Sequence, residues 1–251
     1  MSRDRKKKRN QQSSNLEPIQ SEIITHNNPA PHTKKSVRII PKNERQEEYL
    51  EQLMDPQKMI VIATGPAGTG KSVLAMLAGI KALTEKKVNK LILCRPSVGV
   101  SDENLGFLPG TIEDKMEPWV IPLMDVLTEY YSAKEIGSMI DSKVIEFLPL
   151  MYMRGRNIKN SFVILDEGQN TTIEQCKALF TRLCENSKLV VTGDNDQSDK
   201  RTGENGLLFF KKALVKFGNS KYISTVEFTI EDVARHPVVI DVLDIFNHSG
   251  G

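Results

Sequence analysis

Met59-Ile-Val-Ile-Ala-Thr64 runs directly into Gly65-Pro66-Ala67-Gly68-Thr69-Gly70-Lys71-Ser72, and this stretch decides the fold. Six residues with no charge and four β-branched side chains read as a strand buried on both faces. The next eight match G-x-x-x-x-G-K-[ST] at every fixed position, and from Ser72 to Thr84 the apolar residues take helical spacing. Strand, glycine-rich loop and helix in that order form the context in which this motif cradles a phosphate. The glycines let main-chain N–H groups curve around an anion, and the helix N-terminus adds its positive dipole end. Lys71 is placed to reach β- and γ-phosphates and Ser72 to ligate Mg²⁺.

Working outward, apolar runs alternate with helical patterns. Strands are expected at Lys90–Arg95, Val144–Leu148, Ser161–Asp166, Lys188–Gly193 and Tyr222–Phe228. Helices are expected at about Pro118–Ile140, Thr171–Leu183 and Gly206–Phe217, with a last one after Pro237. Thr171 or Thr172 is the expected cap of the second. Such alternation implies an α/β fold: a mainly parallel sheet with helices on both faces. Ligands on these sheets bind beyond the carboxyl ends of the strands. Thr64, Arg95, Asp166 and Gly193 all fall at such ends.

Asp166-Glu167 closes an apolar strand. Asp166 is the candidate to hold Mg²⁺ with Ser72, and Glu167 the candidate to polarise an attacking water. An acid in that second place favours hydrolysis over transfer to a small molecule. After the next strand comes Gly193-Asp194-Asn195-Asp196-Gln197, a turn in which Gln197 can contact a γ-phosphate or the lytic water, with Asp194 in support. Arg95 can meet nucleic acid, a phosphate or a neighbouring acid. Gln46, in Asn43-Glu-Arg-Gln-Glu-Glu-Tyr-Leu50, can read an adenine edge or simply be a solvated helix residue.

Composition bounds the rest. At 39% hydrophobic and 26% charged residues, the 251-residue chain can bury a core for one α/β domain. No run approaches the ~18–20 apolar residues of a membrane span. Cys94, Cys176 and Cys184 lack metal-site or disulfide spacing and read as buried, reduced thiols of a cytoplasmic protein. Net charge is +2, unevenly spread: residues 1–38 carry nine Lys/Arg against three Asp/Glu, so the remainder is net −4. We read 1–38 as a basic, extended arm and 39–251 as the folded domain. The arm is either a solubiliser or an attractor of phosphate backbones.

The sequence resembles the PhoH family of phosphate-starvation-inducible ATPases over about residues 39–246. The resemblance lies in the phosphate loop, Arg95-Pro96, Leu105-Gly-Phe-Leu-Pro-Gly110, Met153-Arg-Gly-Arg156, Phe162-Val-Ile-Leu-Asp-Glu-Gly-Gln-Asn170, Val191-Thr-Gly-Asp194 with Gln197, and Phe228-Thr-Ile-Glu-Asp-Val-Ala-Arg-His-Pro237. Ser72 stands where the family usually has Thr, and Gly168 where Ala is common. The loop from Val98 to Asn104 is one residue longer than usual. The resemblance implies a RecA-like P-loop NTPase that hydrolyses ATP with Mg²⁺. Through a likeness to superfamily 1 helicases, it also implies RNA or another single-stranded nucleic acid as partner. It further implies a homo-oligomeric ring, most simply a hexamer, in which Arg235 reaches the γ-phosphate from a neighbouring subunit, senses it in cis, or forms an ion pair. A slow regulatory switch binding a protein partner and a small-molecule kinase are the alternatives. Arg154 and Arg156 are candidate phosphate clamps, but no RNA-binding signature and no aromatic stacking platform is evident.

Overall fold

A computed structural model of the chain describes residues 36–96, 112–194, 205–218 and 220–233, with Val238 and Ile245 singly. Gln197, Arg235, the Leu105–Gly110 segment, residues 1–35 and the helix expected after Pro237 lie outside the described residues.

Six parallel strands form one sheet: β1 (Ile60–Thr64), β2 (Lys90–Arg95), β3 (Ile145–Pro149), β4 (Ser161–Leu165), β5 (Lys188–Gly193) and β6 (Ile223–Glu227). Their order is β3-β2-β4-β5-β1-β6. The expected strands are all present, within a residue or two at each end. Because all five pairings are parallel, every carboxyl end lies on one edge.

Among the described residues these α-helices accompany the sheet: α1 (Glu44–Met54), α2 (Lys71–Thr84), α3 (Ile112–Thr128), α4 (Ala133–Asp141), α5 (Ile173–Phe180) and α6 (Gly206–Phe217). Period-two alternation along the strands divides the core. Val61, Ala63, Leu91, Leu93, Phe162 and Ile164 pack on one face with residues of α1, α2, α3 and α4. Ile60, Ile62, Ile92, Val163, Leu165 and Val191 pack on the other with α5 and α6. A strand buried on both faces needs apolar residues at both parities, which is why these runs are nearly continuous.

Three expectations change. The single helix over 118–140 is two helices. Ser132 interrupts them and caps α4 in a reciprocal box with Glu135. The helix expected over 171–183 is shorter at both ends. A 3₁₀ turn at Gly168–Asn170 precedes it, and Thr172 caps α5 with Gln175. At its far end, residues 182–184 bond to Ile158, and Leu183 forms a parallel bridge with that residue. Backbone groups committed to that bridge cannot extend the helix. Of the cysteines, Cys94 and Cys176 are buried free thiols, but Cys184 is partly exposed.

Candidate active site

The phosphate loop is fixed by its neighbours before any ligand is considered. Gly65 donates its N–H to Gly193 O at the end of β5 (3.1 Å), and Phe228 N donates to Thr64 O on the other side (2.7 Å). A Cβ on Gly65 would stand 2.2 Å from Phe228 O, so only glycine passes between the two strand ends. Lys211 of α6 donates to Thr64 Oγ1 at 2.7 Å and braces the strand entering the loop.

Lys71 is 8% exposed and lies back across the loop. Its ammonium donates to Gly65 O (2.7 Å), Pro66 O (2.6 Å) and Thr69 Oγ1 (3.0 Å). Burial pulls the ammonium below the usual lysine range, while Asp194, Asp166 and Glu167 pull the other way. Gln46 is buried beneath the loop. Its Nε2 donates to Thr69 O (3.0 Å) and its Oε1 accepts from Lys42 N (2.9 Å), so main chain engages both ends of the amide. It is therefore not a solvated helix residue. Asn43 sets the entry of α1 by accepting from Gln46 N.

One residue on, the helix and two strands meet at a single oxygen. Ser72 Oγ and Thr192 Oγ1 each donate to Asp166 Oδ1 at 2.7 Å. Two hydroxyls and a carboxylate are hard oxygen donors, the kind Mg²⁺ accepts beside phosphate and water. Among the described residues no three His, Cys, Asp or Glu side chains are grouped so as to hold a metal ion by themselves. A cation here would thus draw its remaining ligands from phosphate oxygens and water, so the donor set fits Mg²⁺ bound with a nucleotide.

Glu167 takes φ +56°, the left-handed region, at a cost of about 1–3 kcal/mol for a residue with a side chain. Its carboxylate is held from two sides. Gln169 Nε2 donates to Oε2 at 2.6 Å, and Arg95 NH2 lies 3.4 Å from Oε1. Gln169 is 1% exposed, and its Oε1 accepts from Asp194 N at 3.0 Å. One buried amide therefore connects the acid after β4 to the backbone after β5. Neither Gln169 nor Thr192 was singled out from sequence. The signal available was their place, just past the acidic pair and just before Gly193. Ala67, Gly68, Lys71, Ser72, Asp166, Glu167, Thr192 and Asp194 line a common cleft of about 350 Å³, within the range of small-ligand sites.

Not every candidate joins the cleft. Arg156 places its guanidinium on both oxygens of Glu146 (2.9 and 3.0 Å), with Lys90 at 3.0 Å on the same carboxylate. Although burial opposes it, these cations hold the Glu146 carboxyl below the usual range. Arg156 is thus an anchor for its loop. Arg154 is exposed and has no carboxylate partner among the described residues.

The parallel sheet, the loop between β1 and α2, and the acid after a strand two places away define a P-loop NTPase fold. Within that class, the model of the family described as PhoH-like protein matches residues 38–247, and the chain belongs to that family. It is similar to a PhoH-like protein of Mycobacterium tuberculosis, 40% identical over 214 residues that cover 85% of this chain and 59% of that protein. A PhoH-like protein of Bacillus subtilis is 38% identical over 213 residues, covering 85% of this chain and 65% of that one. Protein PhoH of Escherichia coli is 38% identical over 200 residues, covering 78% and 55%. The chain therefore spans less than two thirds of each of these relatives. Among solved structures, the Pif1 helicase of Candida albicans matches with a TM-score of 0.38 at 19% identity, over 82% of this chain and 44% of that one, too distant to carry any reading. No helix among the described residues is long and apolar enough to cross a membrane.

Proposed function

We propose that this protein hydrolyses ATP to ADP and phosphate with Mg²⁺, coupled to RNA or another single-stranded nucleic acid. The observation that carries the hydrolytic part is the convergence of Ser72, Thr192 and Asp166 on one oxygen, with Glu167 the next residue along. Lys71 exchanges its loop carbonyls for β- and γ-phosphate oxygens. The N–H groups of residues 65–72 and the start of α2 take the remaining negative charge. Ser72 and Asp166 would hold Mg²⁺, which would supply positive charge to neutralise the phosphate oxygens. Glu167, turned by its left-handed backbone and steadied by Gln169, accepts the proton of the attacking water. The bond from the γ-phosphorus to the bridging oxygen breaks, and ADP keeps that oxygen. Gln197, three residues past Asp194, contacts the γ-phosphate or the water. Gln46 reads adenine only by giving up a main-chain bond, and otherwise supports the loop.

The nucleic-acid part draws on family membership and on Arg95, a partly exposed arginine 3.4 Å from the Glu167 carboxylate. In the same reading the subunits form a ring, most simply a hexamer, with Arg235 supplied across the interface or acting in cis. Because Glu167 follows Asp166 directly, transfer to a small acceptor is disfavoured, and a slow switch is distinguished by turnover. Phosphate release is measured without any acceptor, with and without RNA or single-stranded DNA, for the wild type and Glu167→Gln. Removing a positioned base costs ~10²–10⁴-fold in rate. Normal turnover in Glu167→Gln, or a wild type that releases no phosphate under any of these conditions, overturns the hydrolytic reading.

A further inference from the structure

The segment that follows β3 is built from two opposed sets of side chains. Leu150 and Met153 are buried in the core beside α5, whereas Met151 is 49% and Tyr152 43% exposed. The exposure does not come from a loose chain. Arg154 N donates to Met151 O and Arg156 N to Met153 O, both at 3.2 Å, and Arg156 NH2, donating to both Glu146 oxygens, fastens the far end. Between the arginines, Gly155 takes φ +79° with nothing within 4 Å of where a Cβ would lie. Space is thus no reason for glycine there; the left-handed backbone is. That turn lets one arginine bind back to the strand while the other stays in solvent.

The position is as specific as the construction. Arg95 of β2 is in register with Pro149 of β3, and the segment begins at the next residue. It lies on the carboxyl edge that bears the phosphate loop, beside the arginine that reaches Glu167 at 3.4 Å.

We propose that Met151, Tyr152 and Arg154 form the contact surface for single-stranded nucleic acid, a base lying on the Tyr152 ring and a phosphate on the Arg154 guanidinium. This rests on the nucleic-acid half of the function proposed above and gives it a location. An aromatic face with a thioether beside it suits a base of any identity, and arginine takes phosphate oxygens in a fork. A second copy of the chain is the competing occupant. Two half-exposed apolar side chains offer much less than the roughly 800 Å² per partner of a stable protein interface. One stacked base needs no more than one ring.

The test uses the full chain and two probes, fluorescein-labelled 20-nucleotide oligo(U) and oligo(dT), followed by anisotropy over a range of salt. Tyr152→Ala is expected to weaken binding about 5- to 100-fold, the range of one lost stack. Tyr152→Phe keeps the ring and is expected to bind as the wild type does. Arg154→Ala is expected to weaken binding and to lower the logarithmic salt slope by about one. If the wild type binds but Tyr152→Ala and Arg154→Ala bind equally well, the surface is overturned and the functional reading stands. If the wild type binds neither probe even at low salt, the nucleic-acid reading fails and the surface with it. Tyr152→Ala that binds normally but loses subunits by light scattering marks a protein interface and likewise overturns the proposal.

Discussion

Two lysines, one buried and one half-buried, stand at opposite ends of the sheet, and their chemistry looks the same. Lys71 gives its ammonium to Gly65 O, Pro66 O and Thr69 Oγ1. Lys188, the first residue of β5, gives its own to Gln52 O (3.2 Å), Leu53 O (2.7 Å) and Asp55 O (2.7 Å). Their surroundings separate them. Lys71 itself lines a cleft shared with Asp166, Glu167 and Asp194, and its acceptors belong to the phosphate loop beside it. Those of Lys188 are at the end of α1, whose last turn contains no basic residue of its own. Lys188 supplies that charge from another element, satisfying carbonyls a helix end leaves open. A buried amine is thus no sign of a site by itself. The edge it occupies decides, because ligands lie past the carboxyl ends of parallel strands and the other edge is left to structure.

The strongest way to break this contrast is Lys71→Ala. Phosphate release should fall below detection while circular dichroism and the melting midpoint stay near the wild type, since the loop carbonyls can turn to water in the open cleft. Wild-type turnover in a folded Lys71→Ala would make the two lysines equivalent.

Lys188→Met should do the reverse, costing about 1–3 kcal/mol by urea titration for the buried carbonyls it orphans, with turnover per folded molecule unchanged. The contrast sharpens with pH. Burial lowers the Lys188 ammonium from 10.5 to about 8, against the pull of Asp55. Between those values the unfolded chain holds a proton that the folded chain has released, so this lysine's contribution grows with rising pH. This pH-dependent part is complete above 10.5 and gone below about 8, and it adds to the hydrogen bonds that Lys188→Met removes. The stability difference between wild type and Lys188→Met should therefore shift in favour of the wild type from pH 7.5 to pH 10. A difference that stays flat would mean the amine is not buried as a charge.

The smallest effect is on α1 itself. The Tyr49 hydroxyl is buried with no hydrogen-bond partner among the described residues, its ring edge-on to Phe228 at 5.7 Å. Tyr49→Phe keeps the ring and removes the orphaned group, and should stabilise by about 1 kcal/mol. A loss of stability would show that the hydroxyl is satisfied after all.

The same contrast explains what could be read from sequence. The phosphate loop and Asp166-Glu167 were legible because each is a short contiguous pattern closing an apolar strand. Thr192 bonds to a residue 26 positions away, and Lys188 to carbonyls 133 to 136 positions away. Periodicity carries no trace of such pairings. Arg156 looked like a phosphate clamp because nothing local showed that Glu146, ten residues earlier, would claim it. Tyr152 was passed over because burial of Leu150 and Met153 has to be known before its ring can be seen to face outward. The sheet itself was legible from its strands, but its order was not, since order depends on which strands meet rather than on what each contains.

That order has a geometric meaning. β5 lies between the strand that enters the phosphate loop and the strand that ends at the acids. Neighbouring strands are ~4.7–4.9 Å apart, so two spacings hold those strands about 10 Å from each other. A phosphoryl group and a water in line behind it, with reacting atoms ~3–3.5 Å apart, need a gap of that kind. The interposed strand serves as a gauge block, because its thickness is set by main-chain hydrogen bonding rather than by any one side chain. In the proposed reaction it is the backbone at Glu167, not the length of its side chain, that this spacing holds at a fixed distance from the phosphate loop.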